Sequence, residues 1–188
     1  MIGEGEIIVI DDFISLEYQE KIKSELIGLD NDFPWHYTED VTGAGEFDSQ
    51  HRPALSHQYV WFNDDDTSVI DSIYHHLFTP LLSKACQCLK IPETEVIQGR
   101  SFLQFPLNLK DTSIDSPHID LHFPHMVVLY YVCDSDGDTV LYNQRYTGKE
   151  RVGNLHQIQD QFTERQSVSP KQGRTVIFDG TIFHTAQQ

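Results

Sequence analysis

Residues 117–124 read Pro-His-Ile-Asp-Leu-His-Phe-Pro, and whether the six residues between the prolines form strand or helix decides both the fold class and the chemistry open to the chain. On a strand, side chains alternate, so His118, Asp120 and His122 share one face while Ile119, Leu121 and Phe123 share the other. On a helix, His118 and His122 meet but Asp120 points away, and no glutamate follows His118 to complete a His-Glu-x-x-His zinc pattern. A six-residue helix ending at proline also carries a full nucleation cost for very few hydrogen bonds. The strand is therefore expected. An imidazole and a carboxylate at i and i+2 give two ligands on one face, and "GTIFHT" near the end of the sequence offers a third, His184. Two histidines and one carboxylate leave several coordination positions open, which suits non-haem Fe(II), whereas zinc usually closes a four-coordinate shell with one open position.

The surroundings of this stretch share its β character. After Pro92 come "EVIQGRSFLQF", "MVVLYYV", "TVLYN", "RTVIF" and "TIFHT", short runs of β-branched and aromatic residues separated by Pro, Gly, Asp and Asn. The segment from Arg145 to Lys171 is expected to be an inserted loop or short helix. Before Pro92, Glu6 to Ile10 reads as a strand, and Ser15 is placed to cap a helix with Tyr18, Ile22, Leu26 and Leu29 on its face. Asn31 to Gln58 has no sustained period and reads as a long loop, a plausible lid. Val69, Ile70, Ile73, Leu77, Leu81, Leu82, Ala85 and Leu89 recur at helical spacing, with Thr79-Pro80 as the N-cap and first turn of a second helix. Helices followed by many short strands predict a mainly β single domain over residues 1–188. Residues 1–92 form a helical N-terminal elaboration, and residues 93–188 a sandwich or barrel core packed against it.

The formal charge of −16 works against nucleic-acid binding, which depends on cationic neutralisation of phosphate. No apolar run approaches membrane-spanning length, and the N-terminus lacks the basic flank and apolar core of a signal peptide. Three cysteines, Cys86, Cys88 and Cys133, form no Cys-x-x-Cys pair, which fits a reducing compartment, so a soluble cytoplasmic protein is expected. The acidic runs "NDDD" and "DSDGD" lack the ligand spacing of a calcium loop and read as solvated loops.

The order "PHID … VVLYYVCDSDGDTVLYN … KQGRTVIFDGTIFHT" resembles the 2-oxoglutarate/Fe(II)-dependent oxygenase superfamily, in particular its prolyl 4-hydroxylase-like branch, from about Glu95 onward. The resemblance implies a double-stranded β-helix, the jelly roll of cupin-like proteins, with His118, Asp120 and His184 as metal ligands. Gly173 matches the glycine that opens the strand before the distal histidine. Tyr131 matches a tyrosine that in relatives bonds the far carboxylate of 2-oxoglutarate, and it reads equally well as a core tyrosine. Phe105-Pro106 falls where some relatives have Tyr-Pro. The family's basic anchor for that carboxylate lies about ten residues beyond the distal histidine. This sequence ends at Gln188, so the anchor and a closing strand are expected beyond it, with Arg100 and Arg174 as substitutes within the chain.

The implied cofactors are Fe(II), 2-oxoglutarate as cosubstrate and O2. The implied activity is hydroxylation of a C–H bond in a protein side chain, peptide or small molecule, with release of succinate and CO2. Two other readings stay open: a non-catalytic jelly-roll binding module that keeps the triad, and a zinc hydrolase using the same ligands. His122 reads as a substrate-mouth or rim residue, while His125 and the pair His75-His76 have no assigned role.

Overall fold

In a computed structural model, the described residues are 6–30, 32–41, 52–63, 65–105, 117–148 and 161–187. They form ten strands, two α-helices and one 3₁₀ helix. β1 (Ile7–Ile10), β6 (Met126–Tyr130) and β9 (Thr175–Asp179) make one antiparallel sheet in the order β1-β9-β6. β7 (Thr139–Arg145), β8 (Glu164–Val168) and β10 (Ile182–Ala186) make a second, in the order β10-β7-β8. The chain crosses between these two sheets from β6 to β7, from β8 to β9 and from β9 to β10. The third sheet is built on β3 (Ala54–Phe62). Along it lie β2 (His36–Thr38), β4 (Ser68–Ile70) and β5 (Gly99–Gln104).

Period-two patterning accounts for the two-sheet pair. Leu141, Val168, Val176, Phe178 and Ile182 are buried together between β1-β9-β6 and β10-β7-β8. On the outer face of β7 and β10, Val140, Tyr142 and Phe183 are covered by Ile119. β7 and β9 thus carry two apolar faces with separate covers, which is why "TVLY" and "TVIF" read as continuous apolar runs rather than as alternation.

Helix α1 (Leu16–Ile27) starts where the sequence predicts, with the Ser15 hydroxyl accepting from the Tyr18 amide at 3.4 Å. It ends before Leu29, which is fully exposed, and the buried face carries Gln19 with Ile22 and Leu26. Gln19 is accepted there because its amide donates to the Ile14 carbonyl at 3.0 Å. The turn before β9 packs on the same side chain: Gly173 has φ +77°, and a Cβ there would stand 2.5 Å from the Gln19 amide. A glycine at this point satisfies both the left-handed backbone and the close approach.

Several expectations are corrected. The loop assigned to Asn31–Gln58 contains β2 and the first five residues of β3; residues 31 and 42–51 of it lie outside the described residues. Val69 and Ile70 are exposed residues of β4, because a strand pairing with Val60 and Trp61 of β3 replaces the first turn of the expected helix. The 3₁₀ helix Ile73–Phe78 follows, and α2 (Thr79–Leu89) takes Phe78 rather than Thr79 as its N-cap, with Pro80 in the first turn. The first 92 residues therefore carry strands as well as helices. The Arg145–Lys171 insertion contains β8, paired to β7; residues 149–160 lie outside the described residues. Residues 118–123 form no regular strand, and their ladder contact is a single bridge between His118 and His184.

Candidate metal centre

Asp179, at the end of β9, accepts from the Thr181 amide at 2.9 Å and from its hydroxyl at 2.7 Å, closing the turn into β10. Burial raises the Asp179 pKa, but these bonds and the Arg145 guanidinium at 3.2 Å outweigh it and leave the group lowered. Gly180, inside this turn, donates to the His125 carbonyl at 2.9 Å, and a Cβ there would overlap the His125 ring. β10 then leaves with Ile182 and His184 on the inward face, beside Phe178. His184 is 8% exposed, pairs with Leu141 of β7 and meets the Phe178 ring at 5.1 Å.

His118 joins this platform through two backbone bonds, His118 N to His184 O at 2.9 Å and His184 N to His118 O at 3.0 Å. Residues paired in this way put their side chains on the same face, and the two imidazole centroids lie 4.5 Å apart. Two residues on, Asp120 returns to that face with Oδ2 at 3.5 Å from His184 Nε2. One ligand atom from each of His118, Asp120 and His184 lies within 4.8 Å of the others. Donor atoms that share one ion at about 2.1 Å each stand about 3–3.5 Å apart, close to the 3.5 Å between His184 Nε2 and Asp120 Oδ2. The group can hold a metal ion.

His184 Nδ1 lies 3.2 Å from the Ile182 carbonyl, and Nε2 faces Asp120 Oδ2 at 3.5 Å. Burial pushes the Asp120 carboxyl upward, but the His184 hydrogen bond and the charges of His184, Arg100 and His118 outweigh it and hold the group well below the usual carboxylate range. Arg100 Nη2 donates to Asp120 Oδ1 at 2.6 Å. That contact has no local sequence signal, because Arg100 arrives from β5 in the third sheet.

The remaining sequence-predicted residues separate. Tyr131 stays on the inner face, its hydroxyl donating to Thr139 Oγ1 at 2.7 Å; Thr139 lies two residues along β7 from the register partner of His184. Arg174 is engaged elsewhere, by Asp11 at 2.6 and 3.1 Å and by the Ser169 carbonyl at 2.9 Å. His122, expected in phase with the ligands, is exposed and turned to the Tyr146 ring at 5.6 Å, since the chain bends after Asp120. His125 Nδ1 bonds the Phe123 carbonyl at 2.7 Å. Phe105 is exposed, and Pro106 lies outside the described residues. His75 and His76 sit in the 3₁₀ helix and are not members of the triad. No helix among the described residues is long and apolar enough to cross a membrane.

Comparison of the chain with protein-family models, with curated proteins and with solved structures finds no match in any of the three.

Proposed function

We propose that the chain is a non-haem Fe(II)- and 2-oxoglutarate-dependent dioxygenase that hydroxylates a C–H bond of a protein side chain or small molecule. The observation that carries this reading is the convergence of His118, Asp120 and His184 within 4.8 Å, from two segments far apart in the sequence. A facial set of two imidazoles and one carboxylate is the donor chemistry of Fe(II) sites that bind a chelating cosubstrate and O2 together. Bound Fe(II), with 2-oxoglutarate and O2, would supply the oxidising power, coupled to oxidative decarboxylation to succinate and CO2.

The chain's own residues hold, orient and exclude water. His184 turns Nε2 toward Asp120 while its Nδ1 lies 3.2 Å from the Ile182 carbonyl, which orients the ring. Leu141, Phe178 and Ile182 line the apolar interior behind the ligands, keeping that side dry. The crossing of the chain between two facing antiparallel sheets supports the jelly-roll reading of residues 93–188. Tyr131 and Thr139 place hydroxyls on the inner face that carries His184, which supports their use as donors to a cosubstrate carboxylate. The formal charge of −16 favours a neutral or cationic substrate.

One observation favours a second reading, a metal-binding module without cosubstrate capture. Both arginines named as substitute anchors have other partners, Arg174 on Asp11 and Arg100 on Asp120. Aerobic incubation with Fe(II) and 2-oxoglutarate separates the two readings. The oxygenase forms succinate, and His118→Ala and Asp120→Ala abolish it; succinate formation that survives either substitution removes that residue from the ligand set.

A further inference from the structure

Arg100 reaches the metal centre from a sheet that supplies none of the three ligands. It stands on β5 opposite Gln58 of β3, yet its Nη2 donates to Asp120 Oδ1 at 2.6 Å. Phe102 lies two residues along the same strand and so on the same face, with its ring centroid 5.1 Å from the guanidinium carbon. Asp120 Oδ2 faces the other way, toward His184 Nε2. We infer that Arg100 is a positioning residue for the centre: backed by Phe102, it occupies Asp120 Oδ1 so that the carboxylate meets an ion through Oδ2 alone.

Asp120 needs such a hold. Its segment is tied to the sheets by one bridge at His118, and the terminal torsion of an aspartate is intrinsically broad. A carboxylate free to turn can bind an ion through both oxygens, which fills a second coordination position and leaves fewer for other ligands. Repulsion between the guanidinium and a dication acts in the opposite direction. The Arg100 side chain is 35% exposed against 19% for Asp120, so water screens that repulsion while the hydrogen bond sits on the more buried partner.

The inference rests on the metal-centre reading, and equilibrium binding of Co(II) with its visible spectrum keeps the two distinguishable. The wild-type chain is expected to bind Co(II) with the weak absorption of a six-coordinate ion. Arg100→Gln is expected to bind it about 10–100-fold more weakly with an altered spectrum, and Arg100→Lys to recover part of the affinity through one charged donor. Phe102→Leu keeps the arginine but removes the ring beside it; its expected smaller loss keeps the test open should Arg100→Gln fail to fold. Unchanged or tighter binding with an unchanged spectrum in Arg100→Gln and Phe102→Leu overturns the positioning role alone. A wild-type chain that binds no Co(II) overturns the metal-centre reading and this inference with it.

Discussion

Asp11 and Asp120 are both held well below the usual carboxylate range, both with an arginine at 2.6 Å, and their surroundings assign them different work. Asp11 follows β1 and takes its shift first from the Arg174 hydrogen bond and then from Lys171 at 2.9 Å. Two cations answer one exposed carboxylate, which makes a surface staple between the β1–α1 turn and the entry to β9. Asp120 is largely buried, gives one oxygen to Arg100 and turns the other toward His184, beside His118. A depressed pKa alone therefore does not distinguish the two aspartates; the convergence of imidazole nitrogens on Asp120 is what supports its reading as a metal ligand.

The largest expected effect separates the two aspartates directly. Asp120→Ala or His184→Ala should weaken Co(II) or Fe(II) binding by more than about 100-fold, beyond the cost of losing an outer partner. Asp11→Ala should leave metal affinity unchanged in the same equilibrium measurement, and an equal loss there would erase the distinction. Next, Leu141→Ala should destabilise the fold by about 2–5 kcal/mol in urea unfolding, because Leu141 is fully buried and backs the strand that carries His184. Gly173→Ala should cost about 1–2 kcal/mol for the left-handed backbone, with displacement of Gln19 in addition, in the same unfolding measurement.

The smallest effect is the surface staple itself. Asp11 has a folded pKa below its unfolded one, so its stabilisation is fully present above about 4 and is lost as pH falls below that value toward the folded pKa. Asp11→Asn should make the acid limb of a stability-against-pH curve shallower, most visibly at low salt, where exposed charges are least screened. An unaltered acid limb would remove the staple.

The same contrast explains what the sequence could reveal. β1, β6, β7, β9 and β10 were legible because each is a short run of β-branched and aromatic residues bounded by Gly, Pro, Asp or Asn. β2, β3 and β8 were not, since "HYT", "ALSHQYVWF" and "ERQSV" mix polar and apolar residues and gain their order from partners far away in the chain. β4 was hidden differently: Val69 and Ile70 happen to continue the helical spacing of the residues after them. At the candidate site, the alternation that joins His118 to Asp120 was readable, and it placed them together although the regular strand was absent. It failed for His122, where the bend after Asp120 breaks the alternation. Arg100 stands out in the sequence for its charge, but its contact with Asp120 depends on the third sheet folding against the first two, which no local pattern encodes.

The most direct measurement is an anaerobic titration of the Fe(II)-loaded chain with 2-oxoglutarate, followed by visible absorption. Chelation of the keto acid at a centre with free facial positions predicts a weak charge-transfer band that saturates near one equivalent and is missing from Asp120→Ala. A chain that holds Fe(II) tightly yet develops no band at saturating 2-oxoglutarate would contradict the dioxygenase and leave a metal-binding module in its place.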